Sequence, residues 1–282
     1  MKWQGRRGSE NVDDRRGTGR GVGLPLGGGI GGIVLLLVIS VLTGTNPLDL
    51  INSSGVPQGQ SPGTSGAGGD DPQAQFISVV LADTEDTWRE IFRQNGQAYV
   101  PPVLVLFDGA TQSACGIGRA EVGPFYCLAD RQVYLDLSFF RELDQRFDAP
   151  GDFAQAYVVA HEVGHHVQNM LGLSEKVTRA QSNAGDQQAN ALSVRLELQA
   201  DCYAGVWGRH AAQQGLLDAG DAEEGLQAAA AIGDDRLQRI GQGEVAPESF
   251  THGSSADRVR WLRRGLDAGT LEACDTFSSG TN

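Results

Sequence analysis

The feature that most restricts the fold of this chain is residues 161–165, which read His-Glu-Val-Gly-His. The two histidines are four residues apart, about one turn of an α-helix, so a helix here places both imidazoles on one face. Apolar residues precede and follow the motif at helical spacing, which predicts a buried helix. Two imidazoles on one face can bind one Zn²⁺ ion, and Glu162 beside the first can take a proton from a water molecule. The pattern therefore predicts a zinc-binding helix with its own general base.

Two observations argue against a chance match to this five-residue pattern. Gly164 lies inside the predicted helix, where glycine is less stable than alanine, so its presence indicates that something approaches the backbone there. The chain contains five histidines, and three of them lie between residues 157 and 170. Chance is therefore the weaker explanation.

A catalytic zinc site normally has three protein ligands, so we expect the third on another element. The best candidate is a second predicted helix at 195–207, which has an apolar stripe. Glu197 and Asp201 are four residues apart on it, and two carboxylates on an apolar helix repel each other unless a cation or donor neutralises them. We predict that Glu197 binds zinc and that Asp201 accepts the free N–H of His161. Exchanged roles, or a solvated helix face without metal, are the alternatives.

Four segments of the sequence resemble the neutral zinc metallopeptidase family of bacteria. The resemblance extends over most of residues 77–277, and the pair H-E-x-x-H and E-x-x-A-D is also similar to the prenyl-protein-processing class of membrane metallopeptidases. The matching segments are AHEVGHHVQ (160–168), LELQADCYAGVW (196–207), GPFYCLADRQVYLDLSFF (123–140) and FTHGSSADRVRWLRRG (250–265).

The resemblance implies a zincin-like domain of the gluzincin type, with an α+β, mostly helical fold and a small β-sheet. In such a domain His161, His165 and Glu197 bind Zn²⁺, and Glu162 is the general base for hydrolysis of a peptide or protein substrate. The resemblance also points to His252, on a loop before a predicted helix. A histidine entering the cleft there stabilises the oxyanion of the reaction. The alternative is a surface or capping histidine.

The remaining elements of the domain, 76–277, follow from apolar spacing. Residues 133–138 alternate and are β-prone, so they suit the edge strand that binds an extended peptide in zincin folds; an ordinary core strand is the alternative. We expect the arginines of the last helix to be solvated. The predicted helices are 76–95, 216–240 and 257–266, with a helical excursion within 174–190 and a strand at 103–107.

Composition divides the first 75 residues into three parts. Residues 1–23 are basic and poor in apolar side chains, which predicts a disordered tail. Residues 24–44 carry no charge and approach the length of about 20 residues that spans a bilayer. No A-x-A-like site follows them, so we favour an uncleaved transmembrane anchor over a cleaved signal peptide. Residues 45–75 are a Gly/Ser/Pro linker, predicted to be disordered, and residues 278–282 form a short C-terminal tail.

The distribution of basic residues predicts an orientation for this anchor. After Arg20, the next Lys or Arg is Arg89. The positive-inside rule then places the N-terminus in the cytoplasm and the domain outside it. The prediction is a single-pass protein of the cell membrane with an extracytoplasmic domain.

The four cysteines, residues 115, 127, 202 and 274, lack C-x-x-C spacing, which disfavours a cysteine zinc site. In an extracytoplasmic domain they favour disulfides, and three pairings are possible. We favour Cys115–Cys127, which closes a loop between strands, and Cys202–Cys274, which ties the C-terminal region to the Glu197 helix. Reduced, buried thiols are the alternative.

The charge of the chain bears on its partners. The net charge is −13, and residues 1–20 contribute +3, from six basic and three acidic residues, so the remainder carries −16. An acidic domain argues against a nucleic-acid partner, which needs a basic surface.

Two functions are compatible with these patterns. The first is a membrane-anchored zinc endopeptidase that hydrolyses peptide bonds with water activated by the metal, Glu162 being the base. The alternative is a non-catalytic, zinc-stabilised module that docks a protein partner at the cleft. A structural site of that kind would be closed by a fourth protein ligand, such as His252, whereas a catalytic site keeps a position for water.

Overall fold

The computed structural model of the protein describes residues 1–17 and 71–278. Within them the fold is α+β and mostly helical, as predicted. The α-helices are α1 (Pro72–Gln94), α2 (Ser138–Gln145), α3 (Asp152–Met170), α4 (Leu173–Gln181), α5 (Asp186–Gln213), α6 (Asp221–Ala231), α7 (Asp234–Gln242) and α8 (Ser255–Ala268). The strands are β1 (Val12–Asp14), β2 (Val103–Phe107), β3 (Ala110–Ser113), β4 (Gly116–Arg119), β5 (Phe125–Cys127) and β6 (Gln132–Asp136). Short 3₁₀ turns occur at Ala120–Val122, Pro247–Ser249 and Leu271–Cys274.

Four of these strands form one sheet in the order β1-β2-β6-β5. Strands β1, β2 and β6 are parallel, and β5 is antiparallel to β6. The strand predicted at 133–138 is therefore β6, but its predicted role as the edge strand is wrong, because both of its sides are paired. The two strands at the ends of the sheet are β1 and β5. Strand β5, which lies beside β6, is a short strand that alternation did not indicate. Strands β3 and β4 form a separate antiparallel hairpin.

The core is built around α3, whose apolar side chains are buried almost throughout its length. The C-terminal half of α5 is buried in the same cluster, and α8 packs closely against it. Two glycines allow this close packing, because a Cβ at Gly205 or Gly265 would overlap backbone atoms of the opposite helix.

Both predicted disulfides are present. Cys115, in the turn between β3 and β4, bonds to Cys127 at the end of β5. Cys202 on α5 bonds to Cys274 in the last 3₁₀ turn, which holds the C-terminal region against α5. The second bond crosses a sequence separation of 72 residues and so fixes a contact that helix periodicity cannot specify.

The N-terminal segment, 1–17, corrects the prediction of a disordered tail. Strand β1 completes the sheet beside β2, with Val12 opposite Leu104. Farther back, Ser9 and Asn11 both donate hydrogen bonds to the buried carboxylate of Glu85 on α1. The segment supplies partners for buried carboxylates and for the backbone of β2, and its few apolar residues, Met1, Trp3 and Val12, pack against the core. Composition does not reveal these contacts.

The prediction of a transmembrane helix, and with it the single-pass location, is not supported. In the stretches 1–17 and 71–278, none of the helices combines the length and apolarity needed to cross a bilayer. The predicted span at 24–44 and most of the predicted linker lie outside the described residues. The predicted orientation is also wrong, because residues 1–16 belong to the same compact unit as the C-terminal domain. Strands paired in one sheet cannot lie on opposite sides of a membrane.

Candidate metal centre

Helices α3 and α5 bring His161, His165 and Glu197 together. The Nε2 atom of His161 lies 3.2 Å from one carboxylate oxygen of Glu197, and the Nε2 atom of His165 lies 3.4 Å from the other. One potential ligand atom from each residue lies within 4.8 Å of those of the other two. These three side chains were selected from two separate motifs of the sequence. In the structure their ligand atoms lie around one point.

Gly164 explains how the two helices come so close. A Cβ at this position would lie 2.9 Å from the carbonyl oxygen and 3.2 Å from the Cβ of Ala200 on α5. Any larger residue would push the helices apart and move Glu197 away from the histidines. The sequence prediction that something approaches the backbone at Gly164 is therefore confirmed.

The hydrogen bonds of the two imidazoles fit the binding of a zinc ion. His161 Nδ1 lies 2.8 Å from Asp201 Oδ1, and His165 Nδ1 lies 3.0 Å from the amide oxygen of Gln168. Because both partners are acceptors, each Nδ1 carries a hydrogen, and each Nε2 is the ring atom that faces the Glu197 carboxylate. Loss of the proton from Nε2 would leave a lone pair there for a metal ion. Two imidazole nitrogens and one carboxylate form the donor set of a catalytic zinc site.

The electrostatic field at this point favours a cation. Burial by itself would lower the pKa of His161, but the carboxylates of Asp201 and Glu197 outweigh it and raise that pKa to about 10. The pKa of His165 is also raised, because Glu197 outweighs the effect of burial. The same negative groups that hold a proton here would attract a divalent metal, for which the proton must leave.

Asp201 is fully buried and is surrounded by donors. Its Oδ1 accepts hydrogen bonds from His161 and from the Tyr157 hydroxyl at 2.5 Å. Arg258 of α8 donates to both carboxylate oxygens, with Nε–Oδ2 and Nη2–Oδ1 distances of 2.9 Å. The expectation that the arginines of the last helix are solvated is wrong for Arg258, which is only 3% exposed. Its spacing to Trp261, Leu262 and Gly265 on the buried face of α8 is the sequence signal that could have revealed it.

Glu162 and His252 both line the cleft at the metal centre. Glu162 is buried beside His161, on the same helix. The His252 side chain is 54% exposed, and its Nδ1 lies 3.2 Å from the Asp234 carboxylate. His252 is not part of the group whose ligand atoms lie within 4.8 Å of one another, so its position does not favour a fourth ligand.

Asp234, which the sequence did not single out, holds the His252 loop. One of its oxygens accepts the backbone N–H groups of Thr251, His252 and Gly253 at 2.8, 2.7 and 3.0 Å. Its other oxygen faces the imidazole, and this hydrogen bond is the main reason why the pKa of His252 is raised. Asp234 thus orients the ring with Nδ1 engaged and Nε2 free to meet a ligand.

His166, the third histidine of the motif region, holds neighbouring parts of the chain together. His166 Nε2 lies 2.7 Å from the carbonyl oxygen of Val100, and its Nδ1 lies 3.1 Å from the Tyr126 hydroxyl. Asn169 donates to the same hydroxyl at 2.8 Å. Because Tyr126 belongs to β5, these bonds hold the end strand of the sheet against α3.

The cleft around these residues has a volume of about 620 Å³ and extends along α3. The residues of α3 that line it run from Tyr157 to Gln168, so the cleft continues on both sides of the metal centre. Its other walls include residues 123–126, which lead into β5 and form its first two residues. Apolar lining comes from Phe139, Phe147, Val158, Ile232 and Leu237, and polar lining from Ser174, Thr178, Gln181 and Ser193.

An H-E-x-x-H helix joined by a carboxylate from a second helix defines the site as that of the zinc metallopeptidase class. The chain belongs to the family described as "Putative neutral zinc metallopeptidase", whose family model matches residues 1–277. The family thus implies zinc as the cofactor. The matched range includes residues 1–17, which contain strand β1 of the sheet.

Several relatives have sequences similar to this chain. It is 51% identical to "Uncharacterized protein YpfJ" of Escherichia coli (strain K12) over 284 residues, which covers 98% of this chain and 99% of that protein. It is 41% identical to "Uncharacterized protein Rv2575" of Mycobacterium tuberculosis (strain H37Rv) over 216 residues, or 73% of this chain and 72% of that protein. No solved structure matches the chain.

Proposed function

We propose that the protein is a zinc-dependent endopeptidase of the gluzincin type, with His161, His165 and Glu197 as the metal ligands. The observation that carries this proposal is the convergence of their three ligand atoms in a cleft that also contains Glu162 and His252. Bound zinc would polarise the scissile carbonyl and make a water molecule more acidic.

Glu162 is the general base in this proposal. Its carboxylate takes the proton of the attacking water and later delivers it to the leaving amine. Its place one residue after His161 keeps it on the helix that carries two of the ligands. Asp201 keeps the His161 ring in the tautomer that leaves Nε2 available.

His252 supplies a hydrogen-bond donor to the oxyanion. With Nδ1 facing Asp234, the Nε2–H group is the part of the ring available to a substrate oxygen. Because Asp234 also holds the loop backbone, the donor is oriented before substrate binds, which is the condition for effective transition-state stabilisation.

The substrate is an extended peptide that passes through the cleft. Residues 157 to 168 of α3 span about 17 Å at 1.5 Å per residue, with the ligands between them. A chain can therefore continue on both sides of the scissile bond, which favours internal cleavage. Strand β5, at the end of the sheet and on the cleft wall, replaces β6 as the strand that would pair with such a peptide.

The substitution Glu162→Gln tests the proposal, because it keeps the shape of the side chain and removes the base. We expect zinc content to stay at the wild-type level while cleavage of a peptide library by the full chain falls by roughly 10²- to 10⁴-fold. Glu175→Gln, on the exposed face of α4, is the matched control and should change neither quantity.

Two outcomes would contradict the proposal. Cleavage by the Glu162→Gln variant at the wild-type rate would remove Glu162 from the mechanism. A wild-type protein that binds zinc, gains thermal stability from it and cleaves no peptide would instead be a zinc-stabilised binding module.

A further inference from the structure

Arg258 is a buried cation directly behind the candidate metal centre. Besides its two hydrogen bonds to Asp201, its Nη2 donates to the Tyr157 hydroxyl at 3.1 Å and its Nη1 to the carbonyl oxygen of Ile232 at 3.2 Å. The guanidinium therefore joins α3, α5 and the end of α6 to α8. Neither metal-binding motif contains this residue.

We infer that Arg258 is a positioning residue for the metal centre: it fixes the Asp201 carboxylate, which in turn holds the His161 ring. The inference rests on the proposed function in one respect, that His161 is a metal ligand. Arg258 is not one of the candidate ligands, but its Nη2 also lies 3.4 Å from His161 Nδ1. The double-mutant comparison below separates this direct contact from an action through Asp201.

The reason lies in the geometry of the two hydrogen bonds. The terminal torsion of an aspartate side chain is broad, so a carboxylate held through one oxygen can rotate. Two N–H groups of one planar guanidinium, each bonded to a different oxygen, fix the plane of the carboxylate. Oδ1 then has one position, 2.8 Å from His161 Nδ1, and the direction of the His161 Nε2 lone pair follows from it.

The charge of Arg258 makes a separate contribution. Asp201 is completely buried, and a buried carboxylate without a compensating cation is strongly unfavourable. A lysine ammonium at position 258 would keep the positive charge and lose the planar fork. The substitution Arg258→Lys therefore separates positioning from charge compensation.

The experiment measures the Zn²⁺ dissociation constant of the full chain by competition with a chromophoric chelator. We expect Arg258→Lys to raise it roughly 10- to 100-fold, the usual effect of changing a group that orients a ligand. The visible absorption of the Co²⁺-loaded protein should change as well, because it reports ligand orientation. Arg260→Lys is the matched control: Arg260 lies on the same helix, is 54% exposed and pairs with Asp257, so both readouts should stay at wild-type values.

A double-mutant comparison tests whether Arg258 acts through Asp201. In the background of Asp201→Asn, the change Arg258→Lys should weaken zinc binding no further. Arg258→Gln, whose amide can donate to one carboxylate oxygen, is measured in parallel so that the test does not depend on one variant folding.

Three results would overturn the inference: wild-type zinc affinity in folded Arg258→Lys or Arg258→Gln, effects that add to those of Asp201→Asn, or loss of the fold in both variants. The last result would mean that Arg258 only holds α8 in place. The readouts require no substrate, so a wild-type protein that cleaves no peptide would contradict the proposed function and leave this test intact.

Discussion

The described part of the chain has two groups of three side chains whose ligand atoms lie close enough to share a metal ion, and the two groups differ in the hydrogen-bond donors that surround them. The metal cluster lies in the cleft, whereas the acidic cluster is bonded to other parts of the chain. The metal cluster is His161, His165 and Glu197, and the acidic cluster is Asp152, Asp221 and Glu224.

The acidic cluster meets donors from the protein itself. The α-amino nitrogen of Met1 lies 2.7 Å from Asp152 and 3.4 Å from Asp221. Asp221 also accepts the backbone N–H of Asp218 at 2.7 Å, and Glu224 accepts that of Phe153 at 3.1 Å. All three carboxylates of the acidic cluster therefore already have hydrogen-bond donors from the chain.

Both clusters bring three potential ligands together, so the number of ligands alone does not define a metal site. In the metal cluster, each histidine has its own acceptor at Nδ1, so both Nε2 atoms face the Glu197 carboxylate. In the acidic cluster the carboxylates already accept hydrogen bonds from the α-amino group of Met1 and from backbone N–H groups. Zinc should therefore distinguish the two clusters although both bring three ligands together.

The largest expected effect is a loss of zinc affinity when the glutamate of the metal cluster, but not that of the acidic cluster, is changed to glutamine. Glu197→Gln removes a charged ligand, so we expect zinc affinity to fall by more than about 100-fold, beyond the usual effect of residues that only orient ligands. Glu224→Gln makes the same change in the acidic cluster and should leave zinc affinity unchanged. Metal analysis after dialysis measures the zinc retained by both variants. If only the Glu224→Gln variant lost zinc, the acidic cluster and not the metal cluster would be the zinc site.

A smaller effect, on stability and not on zinc binding, is expected when a carboxylate of the acidic cluster is replaced. Asp221→Asn weakens a buried acceptor beside a cation, so we expect the free energy of unfolding to fall by about 1–3 kcal/mol. Zinc content should not change. Urea denaturation of the zinc-loaded protein measures the first quantity, and wild-type stability together with reduced zinc would contradict the assignment.

The smallest expected effect is on the free energy of unfolding, from the ion pair between Asp71 and Arg16 near the surface. The hydrogen bond from Arg16 at 2.5 Å lowers the pKa of Asp71 below its usual value, against a smaller opposing effect of burial. Because the folded-state pKa is depressed, this pair stabilises the protein above a pH of about 3.9, and the stabilisation is lost as the pH falls through the folded-state value. Asp71→Asn should therefore cost at most about 1 kcal/mol at pH 7 and less at pH 3.

A second substitution separates the ion pair from the helix cap at the same position. Asp71 Oδ1 also accepts the N–H groups of Gln73 and Ala74 at the start of α1, a role that asparagine can keep. Asp71→Ala should cost about 1 kcal/mol more, and this extra cost should not depend on pH. Urea denaturation at pH 7 and pH 3 checks both expectations; an Asp71→Asn effect of equal size at both pH values would exclude the ion pair as its cause.

Sequence patterns predicted the helices around the metal cluster because the required information is local. His161 and His165, like Glu197 and Asp201, are separated by one helical turn, so periodicity alone places each pair on one face. Chemical complementarity of the two pairs then suggested that the helices meet. The roles of these residues in catalysis stay predictions.

Other features were not predicted from the sequence, because they depend on contacts between elements. Arg258 lies in an arginine-rich segment that suggests solvation, but the close packing of α8 on α5 buries it under Asp201. Asp234 holds a loop that begins 17 residues later in the chain. The order of strands also depends on long-range pairing, which is why β5 and not β6 lies at the end of the sheet.

The sequence by itself determined which two helices carry the candidate metal ligands, because turn spacing and residue chemistry restrict that choice strongly. Of the three possible cysteine pairings it only favoured the one that the structure shows. Only the tertiary structure decided that residues 1–17 complete the sheet, that Arg258 bonds to Asp201 and that the acidic cluster accepts hydrogen bonds from the chain's own donors. Each of these depends on polar contacts between residues far apart along the chain, and composition and periodicity carry no information about such contacts.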